Sequence, residues 1–295
     1  MHHDVLIIGG GFAGLSAANV LGRARRDVLV VDAGAPRNRF SSHAHNIIGH
    51  DARSGAEILA DARVQLAAYP GVELWSGEVK SVRAEGEGFA AALADGRDLE
   101  ARRILLATGV TDTLPNIPGL AERWGKSVLH CPYCHGFEVA GQRIGVLAAN
   151  AHAVQHAGLI AEWGEVSLFA NGVALDDEAR AFAVSRGVVI VEGKVAALEG
   201  AAPTLETIRL ENGAGVNVSA LFIPVSAKLS PLAHQLGCDL EDSPAGAFIR
   251  VDALKRAAAG VYAAGDTARG MHAIAFAAAD GMMAGVALHK DLIGL

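Results

Sequence analysis

The sequence predicts an α/β fold made of two parallel-sheet units, the second inserted into the first. Three observations carry that prediction. Near the start, a β-branched run leads through a triple-glycine turn into an alanine-rich helix and a second strand, "DVLIIGGGFAGLSAANVLGRARRDVLVVDAG" at 4–34. Far along the chain, "GVYAAGDTARG" at 260–270 is a short apolar strand ending in Gly-Asp, in the style of the same unit. Between them, the proline-bearing stretches "TDTLPNIPGL" (111–120) and "PVSAKLSPLA" (224–233) bracket a segment with its own strand–helix–strand pattern. Such stretches are where domain boundaries fall. The outer unit is therefore placed at residues 1–114 and 229–295, and the inserted one at 115–228.

Composition agrees with that class. Of 295 residues, 51% are hydrophobic and 35 are glycine, so a large core and many tight turns are available. The formal charge of −7 is spread through the chain and offers no basic nucleic-acid footprint. The apolar N-terminal run follows Asp4 where a signal peptide would carry basic residues. No apolar run is long enough to span a bilayer. Three cysteines do not make a secreted disulfide framework, which points to the cytosol. His2 and His3 are given no role.

The first unit opens with a strand around Val5–Ile8 and the pattern Gly9-x-Gly11-x-x-Gly14. Gly9 permits the tight turn, Gly11 lets a pyrophosphate approach the backbone, and Gly14 allows close helix–strand packing. The helix N-terminus then faces the phosphates, and Asp32, ending the second strand, falls where an acid meets ribose hydroxyls. This is the order of a Rossmann-like dinucleotide site. The buried-strand run "RILLATGV" (103–110), ending in Thr108-Gly109, belongs to the same site. So does Gly265-Asp266, which aims backbone N–H groups and a carboxylate at a bound ligand.

Within the inserted unit we read a helix around 131–137, a strand at 143–148, a helix at 151–163 and a strand at 166–170. Short strands follow near 188–192, 195–199, 205–210 and 221–225. The strand–helix–strand "RIGVLAANAHAVQHAGLIAEWGEVSLFANG" (143–172) has Ala148-Ala149-Asn150 where a dinucleotide turn wants glycines. A Cβ there obstructs the pyrophosphate. From Ile144 to Ala179 there is also no Lys or Arg to meet a 2′-phosphate. Asp176 or Asp177 remains open as a ribose partner, as does weak binding by a degenerate site.

"HCPYCHGFE" (130–138) fits a redox dithiol, a c-type haem attachment site or part of a zinc site. Haem attachment would require export and an axial partner. Zinc would require sequence neighbours to converge on one ion, whereas structural zinc uses two separated ligand pairs. Two sulfurs at i and i+3 of a helix start can close a small disulfide, and the helix N-terminus favours a thiolate. A redox-active Cys131–Cys134 pair is therefore expected, with no metal. His135 is either a proton acceptor titrating near neutrality or a solvated helix residue. Cys238 has no sequence partner and reads as structural.

Taken together, GxGxxG, ATG, AAGD and an intervening CxxC resemble the low-molecular-weight thioredoxin reductase family over nearly the whole chain. The resemblance implies FAD held by Gly9, Gly11, Gly14 and Asp32, with Arg37 and Asn38 near phosphate and ribose. It places Asn46 beside the flavin ring, Asp266 at the ribityl–phosphate end, and Cys134 as the flavin-proximal sulfur, with Cys131 meeting substrate. The family follows Gly-Asp with Arg-Gln-Ala under the flavin, where this chain has His272-Ala273, and it carries Asp where this chain has His135. Those departures, with the missing glycine turn, resemble the reductase-like dithiol oxidases that close disulfides in small molecules such as gliotoxin and holomycin. The implied reaction uses O2 as acceptor and little or no NADPH on a small-molecule or protein dithiol. A reductase fed by NADPH or another donor, and a flavin-bound redox sensor without catalysis, stand as alternatives. A homodimer joined through the FAD domain is implied by the resemblance alone.

Overall fold

In the computed structural model, which describes residues 2–295, the apolar run after Asp4 forms β1 (His2–Ile8). It is followed by α1 (Phe12–Arg23), β2 (Val28–Asp32), α2 (Gly55–Leu66) and β3 (Val72–Ser76). Next come β4 (Val79–Glu85), β5 (Gly88–Leu93), β6 (Asp98–Leu106) and the short β7 (Thr111–Thr113). β1 lies between β2 and β6, parallel to both, with Val5 opposite Val28 and Arg103. A central parallel strand is covered on both faces, which is why Val5–Ile8 reads as an unbroken apolar run. α2 begins at a capping box: the Ser54 hydroxyl accepts from the Glu57 N–H, and the Glu57 carboxylate accepts from the Ser54 N–H.

The chain divides into two compact units. Residues up to Arg39, His43–Asp112 and Ser226–Leu295 form the first, and Phe40–Ser42 with Thr113–Val225 the second. The second unit contains β8 (Val128–Leu129), α3 (Pro132–His135), β9 (Arg143–Leu147), α4 (Ala153–Ile160) and β10 (Glu165–Phe169). Then follow α5 (Asp177–Ser185), β11 (Val189–Val191), β12 (Val195–Glu199), β13 (Thr207–Leu210), β14 (Gly215–Asn217) and β15 (Ala220–Phe222). Its main sheet runs β11-β10-β9-β15-β8 with parallel pairings, and β12-β13-β14 form an antiparallel layer. Two expected helices are shorter than the sequence suggested. The one expected over 151–163 loses its first residues to a turn and its last to the bend before Gly164. The one expected around 131–137 is the single turn α3, followed by a 3-10 turn at Phe137–Val139. The two-residue β8 and the three-residue β14 carry too little pattern to be seen in the sequence.

The first unit resumes with β16 (Ser226–Lys228), which pairs with β7 where the chain leaves and rejoins this unit. α6 (Leu232–Gln235), a hairpin of β17 (Leu240–Glu241) and β18 (Phe248–Ile249), β19 (Arg256–Ala258), β20 (Val261–Ala263) and α7 (Ile274–Leu292) complete it. The sheet order β19-β20-β6-β1-β2-β3 seats the late strand β20 directly beside β6. Both sequence segments therefore build one nucleotide-binding sheet. α7 lies on α1 at backbone distance, because a Cβ on Gly281 would fall 2.0 Å from the Ala13 carbonyl oxygen.

Candidate functional site

The three turn glycines face different constraints. Gly9 has φ +110° and an added Cβ would lie 2.2 Å from the Ala107 carbonyl oxygen, so the turn itself demands glycine. On Gly14 a Cβ would lie 1.9 Å from the Gly9 carbonyl oxygen, the mark of helix packed against strand end. Gly11 is different. It caps α1 at φ −81° and ψ −168°, and an added Cβ would meet nothing within 4 Å. No part of the polypeptide requires glycine there. A pyrophosphate backed onto the helix N-terminus would fit this approach.

Around this cradle the strand ends gather the other expected residues of the first unit. Asp32 at the end of β2 accepts from the Gly34 N–H (3.2 Å) and from Arg63 Nη2 (2.8 Å). Each carboxylate oxygen keeps a lone pair for a ribose hydroxyl. Arg63, on α2, also donates to the Gly10 carbonyl (3.3 Å) and was not anticipated from the sequence, where it is one helical arginine among many. Asn38 packs its amide against Gly55 at the start of α2. The Thr108 hydroxyl lies 3.3 Å from that of the fully buried Thr267, joining the Thr108-Gly109 turn (φ +61° at Gly109) to the Gly265-Asp266 turn. Asn46 is exposed in the 43–53 loop at φ +61°, a conformation asparagine tolerates better than most residues.

Arg37 stands in a 3-10 turn after β2 and meets residues from two other strand ends. Nε and Nη2 donate to Asp112 at 2.9 and 2.5 Å, while Nη1 faces Asp266 (3.4 Å) and His272 Nδ1 (2.6 Å). The His272 Nε2 lies 3.0 Å from the Arg269 carbonyl. Burial, helped by the Arg37 cation, holds the His272 imidazole below its ordinary pKa, against the opposing pull of Asp266 and Asp112. Asp112 was not among the residues the sequence suggested. Behind the loop, buried Asp280 pairs with Lys255 (2.6 Å) and Arg269 (3.2 Å), and His272 is followed by Ala273 as the N-cap of α7.

In the second unit, Cys131 caps α3 with an extended backbone, Pro132 occupies the first helical position, and the Cys134 N–H donates to the Cys131 carbonyl (3.2 Å). The motif thus folds into one tight turn, with both cysteines and His135 half-buried. Because α3 is a single turn, the helix-dipole assistance expected from the sequence reduces to its local N–H groups. Tyr133 is exposed and stacks edge-on against Trp163 with ring centroids 5.8 Å apart. Cys238, in the first unit, is buried, and burial pushes its thiol up to about 11.

The turn after β9 shows what replaces the glycines. Ala148 is buried, its N–H donating to the Phe169 carbonyl (2.9 Å), and the Asn150 side chain accepts from the His152 N–H (3.0 Å). An N–H at the foot of α4 is thereby taken by the chain itself. Asp176 is the N-cap of α5 and accepts from the Ala179 N–H (2.8 Å). One cation does reach this end of the sheet. The stem of Lys194, which lies beyond the base-free stretch 144–179, is 3.4 Å from the position a Cβ on Gly172 would occupy. Among the described residues, no cluster of three or more His, Cys, Asp or Glu is placed to hold a metal, and no helix is long and apolar enough to cross a membrane.

A glycine cradle on a parallel sheet, together with a second α/β unit bearing a CxxC turn, is the arrangement of a flavoprotein disulfide oxidoreductase. The chain matches the pyridine nucleotide-disulphide oxidoreductase family over residues 3–281, and it belongs to that family. It is 35% identical to thioredoxin reductase tcpT of Claviceps purpurea, over 98% of this chain and 94% of that protein. Thioredoxin reductase sirT of Leptosphaeria maculans is 29% identical, over 99% and 94%. Among solved structures, an oxidoreductase from Agrobacterium tumefaciens is similar at a TM-score of 0.95 and 41% identity, covering 100% of this chain and 99% of its own. The structure of HlmI gives a TM-score of 0.93 at 38% identity, covering 99% and 93%. The family is FAD-binding, and FAD is the cofactor of this flavoprotein oxidoreductase.

Proposed function

We propose that the protein is a dithiol oxidase that forms disulfides through Cys131 and Cys134, with O2 as acceptor and little use of NADPH. The observation that carries this reading is the turn after β9, where Asn150 occupies the His152 N–H and alanines replace the glycines of a pyridine-nucleotide site. A flavoprotein disulfide enzyme without an inlet for hydride is suited to take its electrons from thiols.

In the proposed cycle a substrate thiolate attacks Cys131 of the oxidised pair, forming a mixed disulfide and releasing Cys134 as thiolate. The second substrate thiolate attacks the substrate sulfur, closes the product disulfide and releases Cys131 as thiolate. Two protons leave the substrate. His135, the residue after Cys134 in the turn, accepts one of them, as an imidazole titrating near neutrality can. FAD would be held by the cradle of Gly9, Gly11, Gly14, Asp32 and Asp266 and would supply the two-electron oxidant that restores the disulfide; the electron pair and the two protons given up by the substrate would then convert O2 to hydrogen peroxide. A reductase reading is favoured by one observation, the Lys194 stem at Gly172, which offers a cation to a 2′-phosphate.

Anaerobic titration separates the two. The oxidase reading expects a small dithiol to bleach the flavin and NADPH to leave it oxidised. Rapid bleaching by micromolar NADPH would return the chain to the reductases.

A further inference from the structure

The resemblance sets Arg37 beside the cofactor's phosphate, yet its donors face the protein. A guanidinium has five N–H groups. Nε–H and one Nη2–H go to Asp112, and the Nη1 pair faces Asp266 and His272, which leaves one Nη2–H. The arginine and Asp112 side chains are only 18% and 8% exposed. The Arg37 cation is already set against two carboxylates, which leaves it little to offer a phosphate.

The geometry points to Arg37 and Asp112 as positioning residues: a brace that shapes the FAD site from behind instead of gripping the phosphates. Asp112 fixes the plane of the guanidinium through a bidentate pair. Arg37 then holds Asp266, which is left to accept from a polyol hydroxyl. It also donates to His272 Nδ1, so the imidazole proton sits on Nε2, within reach of the Arg269 carbonyl. Arg37 follows β2, Asp112 lies in β7 after β6, and Asp266 and His272 follow β20, so a single guanidinium ties the early and late segments of the FAD sheet together. Arg269 is anchored in turn through Asp280, which also takes Lys255. The 265–273 loop is thus fixed from both sides. This inference rests on the FAD site and not on the direction of the thiol chemistry.

The test is the rate of FAD release from holoenzyme, followed by flavin fluorescence after dilution, which needs no turnover. Losing a charge-assisted pair should speed release about tenfold to a hundredfold in Asp112→Asn. Arg37→Gln should match it, and the double variant should release no faster than either single. Arg37→Lys should not rescue, because an ammonium has no planar fork, whereas Asp112→Glu should release more slowly than Asp112→Asn. Nitrogen-15 NMR of the holoenzyme supplies a second readout, which decides alone if Asp112→Asn fails to fold. In the wild type at pH 6.5, His272 should be the neutral Nε2–H form. In Arg37→Gln it faces Asp112 and Asp266 without the cation, and its titration should move to higher pH than in the wild type. Unchanged or slower release in Asp112→Asn, with faster release in Arg37→Gln, would make Arg37 a direct phosphate ligand and overturn the brace. A His272 titration unmoved in Arg37→Gln would overturn it as well.

Discussion

Replacing Gly11 with alanine adds one methyl group at the N-cap of α1, where a Cβ meets no atom within 4 Å and the backbone is already extended. An alanine is at ease in that conformation. Folding without cofactor should therefore change by less than about 1 kcal/mol, the unfolded chain's lower entropy being opposed by alanine's poorer fit as an N-cap. The methyl instead stands where the pyrophosphate approaches. Losing one charge-assisted hydrogen bond to the backbone costs about 1.5–3 kcal/mol, which raises the FAD Kd roughly tenfold to a hundredfold. At a FAD concentration of about 100 times the wild-type Kd, the cofactor adds about 2.7 kcal/mol to wild-type stability and only about 0.4–1.4 kcal/mol to the variant. Gly14→Ala is the contrasting control: its Cβ would press within 1.9 Å of the Gly9 carbonyl, so it should destabilise the protein with or without FAD, by about 1–3 kcal/mol. Flavin absorbance and denaturant unfolding with and without FAD distinguish the three proteins. A Gly11→Ala protein that binds FAD at wild-type affinity would refute the cradle argument, as would one that loses more than about 1 kcal/mol of stability in the absence of FAD.

Burial holds His272 and His156 below their ordinary pKa, so the unfolded chain binds protons at these sites that the folded chain does not. Their stabilisation is complete above about pH 6.5 and is lost as the pH falls through the window below it, at up to about 1.36 kcal/mol per pH unit for each group. His272→Gln should flatten that slope between pH 6.5 and 5 in urea unfolding; an unchanged slope would contradict the assignment. In reduced protein at pH 8, alkylation followed by mass spectrometry should label Cys131 and Cys134 well before Cys238, whose buried thiol is pushed up to about 11. Equal labelling would show that Cys238 is not secluded. Phe276, Met282, Met283 and Val286 are exposed on α7, an apolar face that a second copy would cover in the homodimer the resemblance implies. Light scattering should give a dimer, weakened in Met282→Glu, and a wild-type monomer at working concentration would end that proposal.

What was legible in the sequence was local steric demand. Gly9 and Gly14 can be read because the turn and the helix packing each need glycine within a few residues, and Gly11 because its spacing completes the pattern. The CPYC turn was legible for the same reason, although α3 proved shorter than the motif's surroundings implied, with the chain passing into a 3-10 turn after Gly136. Residues acting across the chain left no such mark. Asp112 lies 75 positions from Arg37, and His272 lies 235. Nothing in their neighbours announces the pairing. Lys194 shows the limit from the other side, because counting bases along 144–179 could not see one that the fold delivers to Gly172 from a later segment. His272 was picked out as a departure from family pattern, but its partners emerged only when β20 was found beside β6.

The most direct test of the dithiol-oxidase account is anaerobic rapid mixing of a small dithiol with wild type, Cys131→Ser, Cys134→Ser and His135→Ala across pH, following loss of flavin absorbance. Both serine variants should fail to bleach, because each lacks one sulfur of the relay. His135→Ala should keep its FAD yet bleach about 10²–10⁴-fold more slowly at neutral pH, the usual loss on removing a positioned base. That deficit should shrink toward pH 8.5, where thiols ionise unaided. Either serine variant bleaching at the wild-type rate would contradict the Cys131–Cys134 relay, and a His135→Ala protein matching wild type at neutral pH would leave the histidine a structural part of the turn.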